Sequence, residues 1–163
     1  MNRTGVAAQP RRRRARLSLD PRRLGSLAGA RRLTAGEWRM VLLALPVVLS
    51  VRWALTVTTL ARAHARIVER PPGSGRLAPH LVDGWSRAVA RASRLVPGAT
   101  CLTQALALQR LLRRQGQDSR VEIGFIGGGE TAVEGHAWLV CGERVVIGGT
   151  NSKNFTRTMT LEG

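Results

Sequence analysis

The sequence predicts an α+β fold, and three observations carry that reading. Residues 99–116 (ATCLTQALALQRLLRRQG) have helical spacing, a second helical pattern occupies residues 80–95, and three short strand-like runs follow within residues 120–147. In the first of these, Leu102, Ala105, Leu106, Leu108, Leu111 and Leu112 recur on one face. Arg110, Arg113 and Arg114 crowd the last turn, and Gly116 supplies a stop. Cys101 stands where this helix begins. Backbone N–H groups without intrahelical partners and the positive end of the helix dipole favour a thiolate over a thiol at such a position. A cysteine there is a better nucleophile than one in a strand or an apolar core.

The strand-like runs supply the second half of a site. Residues 120–126 alternate Val121, Ile123 and Phe125 with Glu122 and Gly124. Residues 133–141 (VEGHAWLVC) are an apolar run that contains His136, and Gly142-Glu143 is a two-residue turn signal before residues 144–147 (RVVI), so the pair reads as a β-hairpin. A lone cysteine is ordinarily a small buried residue, and a lone strand histidine is ordinarily a hydrogen-bonded core residue. A cysteine at a helix start laid against an antiparallel sheet that bears a histidine is the arrangement a thiolate–imidazolium pair needs. The backbone N–H of Cys101 is the better-motivated oxyanion donor; Gln104, one turn on, reads as a solvated helix residue. Cys141 reads as strand core, and nothing in the spacing demands that it pair with Cys101.

The segments CLTQALALQRLLRRQG and GHAWLVCGERVVIGG resemble the transglutaminase-like, papain-related cysteine peptidases that remove the leader from lasso-peptide precursors. The likeness is closest to the stand-alone peptidase half of the split form, and it runs from about Glu37 to the C-terminus. It implies a papain/transglutaminase-like core in which Cys101 is the nucleophile and His136 of His-Ala-Trp is its base. It also implies a precursor leader peptide as substrate, a small leader-binding partner protein, and a separate ATP-dependent ring-forming enzyme downstream. One departure stands out. The family's third catalytic member is an Asp on the strand after the histidine, and here that strand ends Ile147-Gly148-Gly149; the only later carboxylates are Glu143 and Glu162. Papain-like enzymes use an Asn to hold the imidazole, so Asn151, or Asn154 beside it, is expected in the orienting role.

The rest of the chain sets the bounds. Its 163 residues suit one domain with a tail. The formal net charge is +16, from 26 Lys+Arg against 10 Asp+Glu, a surface that attracts anions. Two cysteines without a secretion signal imply a reducing, cytoplasmic setting rather than a disulfide framework. Residues 1–36 read as a mobile basic arm, with Arg11 to Arg14, Arg22, Arg23, Arg31 and Arg32 interrupted by Pro10 and Pro21. No aromatic interleaving or reading motif accompanies these arginines, so no specific nucleic acid is expected.

Residues 37–70 read as an apolar helical segment. Its charge-free run, Met40 to Val51, contains Pro46 and is shorter than the roughly twenty residues a membrane span needs. Packing in the protein interior or on a partner is expected. Arg39 and Arg52 beside Trp38 and Trp53 also suit a helix lying on a membrane surface, a peripheral contact. Residues 71–79 (PPGSGRLAP) read as a linker, and residues 80–163 as the peptidase-like core. Gly127 to Gly129 read as a bend between strands, and no metal-spaced Cys/His cluster or phosphate loop appears, so neither metal nor cofactor is expected.

Three functions of different class fit these features. The first is a thiol peptidase that cuts a leader. The second is an acyl transferase on the same Cys-His site, with an amine in place of water. The third is a non-catalytic basic scaffold protein, favoured by the charge and by the missing Asp.

Overall fold

A reciprocal cap starts the first helix. The Thr34 hydroxyl accepts from the Glu37 N–H, and the Glu37 carboxylate accepts from the Thr34 N–H at 3.0 Å, so two end groups of α1 (Ala35–Val57) are satisfied at once. A computed structural model of the chain describes residues 33–69, 73–126, 134–149 and 155–163. The arm expected over residues 1–36 lies outside them as far as residue 32, as do residues 71–72 of the linker and the bend at Gly127 to Gly129.

The apolar segment expected over residues 37–70 is two helices. α1 stops at Thr58, whose hydroxyl and backbone N–H both return to the Ala54 carbonyl, and Thr59 then caps α2 (Leu60–Val68). Two adjacent threonines in extended backbone offer local hydrogen bonds that compete with helix continuation, which is why the break falls there. α3 (Pro79–Leu95) opens on a proline, whose missing N–H costs nothing in a first turn. α4 (Cys101–Arg114) is capped by Thr100, which accepts from the Thr103 N–H, and its chain exits through Gly116 at φ +75°. Within the stretch expected as linker, the Gly73 N–H donates to the Arg113 carbonyl at 2.9 Å, tying that segment to the end of α4.

The chain is α+β: its described residues form four helices and one antiparallel sheet of order β3-β2-β1-β4. β1 (Arg120–Ile126) pairs with β2 (Glu134–Cys141) in a register that sets Glu122 opposite Trp138 and Gly124 opposite His136. The expected hairpin joins β2 to β3 (Arg144–Ile147) through Gly142 at φ +58°. β4 (Thr156–Glu162) is a fourth strand, absent from the sequence reading, which pairs with the free side of β1. Nearly all its residues are exposed, so no alternation of buried and exposed positions marks it in the sequence.

α4 lies at the centre. Leu106, Leu108 and Leu112 are fully buried, between Val48 of α1 and Val89 of α3 on one side and Val121, Ala137, Leu139 and Ile147 of the sheet on the other. Truncating one such leucine to Ala costs on the order of 2–5 kcal/mol. The helix carrying Cys101 is therefore held on both sides, and its starting point is fixed in space.

Candidate active site

The free end of α4 is the natural place to begin. Its cap consumes the Thr103 N–H, while the Gln104 N–H returns to the Thr100 carbonyl. Among the described residues, the N–H groups of Cys101 and Leu102 have no hydrogen-bond acceptor. Two donors at a helix start, one of them on the candidate nucleophile itself, form the kind of site that binds a developing oxyanion. Cys101 is a free, half-buried thiol packed on the edge of the core.

Gln109 fixes how this helix sits against the sheet. Fully buried in mid-helix, it donates from Nε2 to the Leu161 carbonyl at 3.0 Å. Leu161 pairs with Val121, which pairs with Leu139. A short loop joins the end of α4 to the start of β1, so moving back along the helix and forward along β1 leads in the same direction. From Gln109 back to Cys101 is about 12 Å at ~1.5 Å per residue. From Leu139 back to His136, three residues of β2, is about 10 Å at ~3.4 Å per residue. Cys101 and His136 thus lie at the same end of the helix–sheet pair, and α4 packs chiefly on the strand that carries the histidine.

No hydrogen bond joins them. Among the described residues no group hydrogen-bonds to the Cys101 thiol. Side-chain alternation gives the reason: Ala137 and Leu139 enter the core beneath α4, whereas His136 shares the other face of β2 with Trp138. Any thiol–imidazole pair closes around the end of the sheet and not through its core.

The imidazole itself is held from three sides. Trp138 stacks on it with ring centroids 6.0 Å apart, and Phe155 tilts against it at 5.0 Å. Its Nε2 lies 2.7 Å from the Gly148 carbonyl oxygen. A carbonyl only accepts, so Nε2 carries the proton, and in the neutral ring Nδ1 is left with the lone pair. Nδ1 is then the nitrogen able to act as a base. Gly148 has φ +80°, and a Cβ there would stand 2.6 Å from the Ala137 carbonyl oxygen, so glycine is required on both counts. This carbonyl sits just beyond β3, where the sequence lacks the expected Asp. Asn151, the expected orienting residue, and Asn154 lie outside the described residues.

Sequence reasoning missed the support behind the histidine. The Trp138 indole N–H donates to the buried Glu122 carboxylate at 2.8 Å, and Arg120 and Arg157 each donate to it at 3.0 Å. Burial pushes the Glu122 carboxyl up, but those three donors outweigh it and hold it below the usual carboxylate range. Gly124 leaves room for this packing, since a Cβ there would stand 2.9 Å from the Trp138 ring. The available signal was Glu122 set among the apolar Val121, Ile123 and Phe125. Gln104, expected to be solvated, is half-buried. Among the described residues no group of three or more His, Cys, Asp or Glu gathers in a way that would hold a metal.

A helix-start cysteine, a strand histidine and an antiparallel sheet behind them define a class of thiol-dependent acyl-transfer folds. The chain matches the profile of the Transglutaminase-like superfamily over residues 45–160, from within α1 to within β4, and belongs to that superfamily. No curated protein and no solved structure matches it.

Proposed function

We propose that this chain is a cysteine peptidase that removes the leader from a ribosomally made lasso-peptide precursor. The superfamily accommodates both cysteine peptidases and acyl transferases. The resemblance of the α4 and β2–β3 segments to lasso leader peptidases supports the finer reading. The observation that carries the chemistry is the placement of Cys101, with two unpaired N–H donors, at the sheet end where His136 is oriented by Gly148.

In the proposed reaction the substrate peptide lies across that end and draws the two side chains together, as catalytic hydrogen bonds often tighten only in the complex. The Cys101 thiol gives its proton to Nδ1 of His136, and the sulfur attacks the scissile carbonyl carbon. The Cys101 and Leu102 N–H groups receive the oxyanion. The tetrahedral intermediate collapses to a thioester as His136 protonates the departing amine. Water, deprotonated by His136, then hydrolyses the thioester and frees the thiol. Asn151 remains a proposed second orienting group, in addition to the Gly148 carbonyl. The chain works in the cytoplasm with a leader-binding protein, ahead of an ATP-dependent ring-forming enzyme.

The test is mass spectrometry of the precursor after incubation with wild type and with Cys101→Ala, each with and without the leader-binding protein. One defined leader fragment from wild type, and none from Cys101→Ala, is the expected result. A fragment capped by an amine in place of a free carboxylate would assign the acyl transferase instead. Identical behaviour of both chains would leave only the scaffold role.

A further inference from the structure

α1 is packed on one side only. Val41, Ala44, Val48 and Val51 are at most 3% exposed against α3 and α4, yet the opposite face carries Trp38, Leu42, Leu49, Trp53 and Val57, with Leu42 62%, Leu49 49% and Trp53 69% exposed. At ~1.5 Å per residue, that face is about 28 Å long. Its hydroxyls are spent locally: Thr56 donates to the Trp53 carbonyl at 2.6 Å, and Ser50 donates to the Val47 carbonyl at 2.8 Å and accepts from Arg110 at 2.9 Å. The single carboxylate of α1, Glu37, is taken up by its cap and by Arg91 at 3.4 Å.

We propose that this outward face of α1 seats on an anionic lipid bilayer as an interfacial helix lying parallel to the membrane plane. Charge chooses the occupant. Arg39 and Arg52 flank the face, and the Arg52 guanidinium, with its Nε buried, has no hydrogen-bond or ion-pair partner among the described residues. It lines a groove of about 670 Å³ between the end of α1 and Val96-Pro97, a position for a lipid phosphate beside apolar walls. Ten arginines against one Asp precede α1 in residues 1–32, a further +9 joined to the start of the helix. A second copy of the chain would bring another +16 to the same face, whereas anionic headgroups neutralise it. Trp38 and Trp53 near the two ends suit the headgroup boundary. α1 is apolar and long enough to cross a membrane, but its packed face is occupied by α3 and α4, so it lies on the bilayer. This inference stands apart from the peptidase reading.

The experiment is flotation of the full-length protein with vesicles of phosphatidylcholine, alone or with one third phosphatidylglycerol, for wild type, Leu49→Glu and Trp53→Glu. Wild type is expected to co-float with the anionic vesicles at least tenfold more than with neutral ones. Each variant should lose at least tenfold of that binding while melting as wild type does. If a variant melts early, quenching of wild-type tryptophan emission by brominated acyl chains decides, and quenching is expected. The proposal is overturned if wild type stays with the soluble fraction or if folded variants float unchanged. It is also overturned if alkaline carbonate fails to extract the protein, which would mean a spanning helix. A concentration-dependent dimer abolished by Leu49→Glu would assign the face to a second copy and overturn it as well.

Discussion

The chain's two free cysteines lie at opposite ends of the helix–sheet pair, and both are half-buried. Cys101 begins a helix, with unpaired backbone donors around it and an oriented imidazole at the same end of the sheet. Cys141 ends β2, where burial pushes its thiol up and the nearby Arg144 only partly opposes that. The residue type and its exposure are the same. What differs is the backbone: a helix start offers N–H groups, whereas a paired strand has already spent its own. The two thiols therefore differ in secondary structure, and that difference is why the proposed chemistry falls to Cys101.

The largest effect available against that comparison is on the group that holds the His136 imidazole. Gly148→Ala places a Cβ at a left-handed φ, which costs about 1–2 kcal/mol, and presses it on the Ala137 carbonyl. Displacing the Gly148 carbonyl frees His136 to rotate or to change tautomer. On the proposed peptidase reading, precursor cleavage is expected to fall at least ~10-fold, part of the ~10²–10⁴-fold that acid–base catalysis contributes. Unchanged cleavage at a lowered melting temperature would show that Gly148 serves folding alone.

A smaller effect is expected one step further back. Glu122→Gln leaves the Trp138 indole an acceptor but removes the charge facing Arg120 and Arg157. The carboxyl is buried, so a loss of about 1–3 kcal/mol is expected, toward the low end because both arginines reach solvent. The sign with pH follows from a carboxyl held below its ordinary value. The stabilisation is present above the ordinary carboxylate range and is lost as pH falls through the folded-state value. Urea unfolding of wild type and Glu122→Gln should differ at neutral pH and converge in acid. Curves that stay apart in acid would locate the effect in packing.

Much of this architecture is legible in the sequence, and the parts that are not share a cause. The start of α4 at Cys101, its glycine exit and the hairpin turn at Gly142 are written in side-chain types whose preferences are local. β4 is not, because an exposed edge strand needs no apolar alternation. The division of the apolar segment at Thr58-Thr59 follows from hydroxyls that bond to nearby backbone, a preference weaker than the apolar run around it. The acceptor for His136 is the least visible, since every residue has a carbonyl and only the fold decides which one faces the imidazole. Sequence alone leads to an Asp or an Asn at that point, whereas among the described residues it is main chain, the Gly148 carbonyl, that meets the imidazole.

The most direct measurement needs no substrate. Wild type and His136→Ala are exposed to limiting iodoacetamide at neutral pH, and modification of Cys101 and Cys141 is followed by peptide mass spectrometry. The account predicts that Cys101 is alkylated at least ~10-fold faster than Cys141 in both proteins, because burial pushes the Cys141 thiol up and so slows it, and because without substrate His136 does not reach Cys101. Equal rates at the two cysteines, or a Cys101 advantage lost in substrate-free His136→Ala, would contradict it.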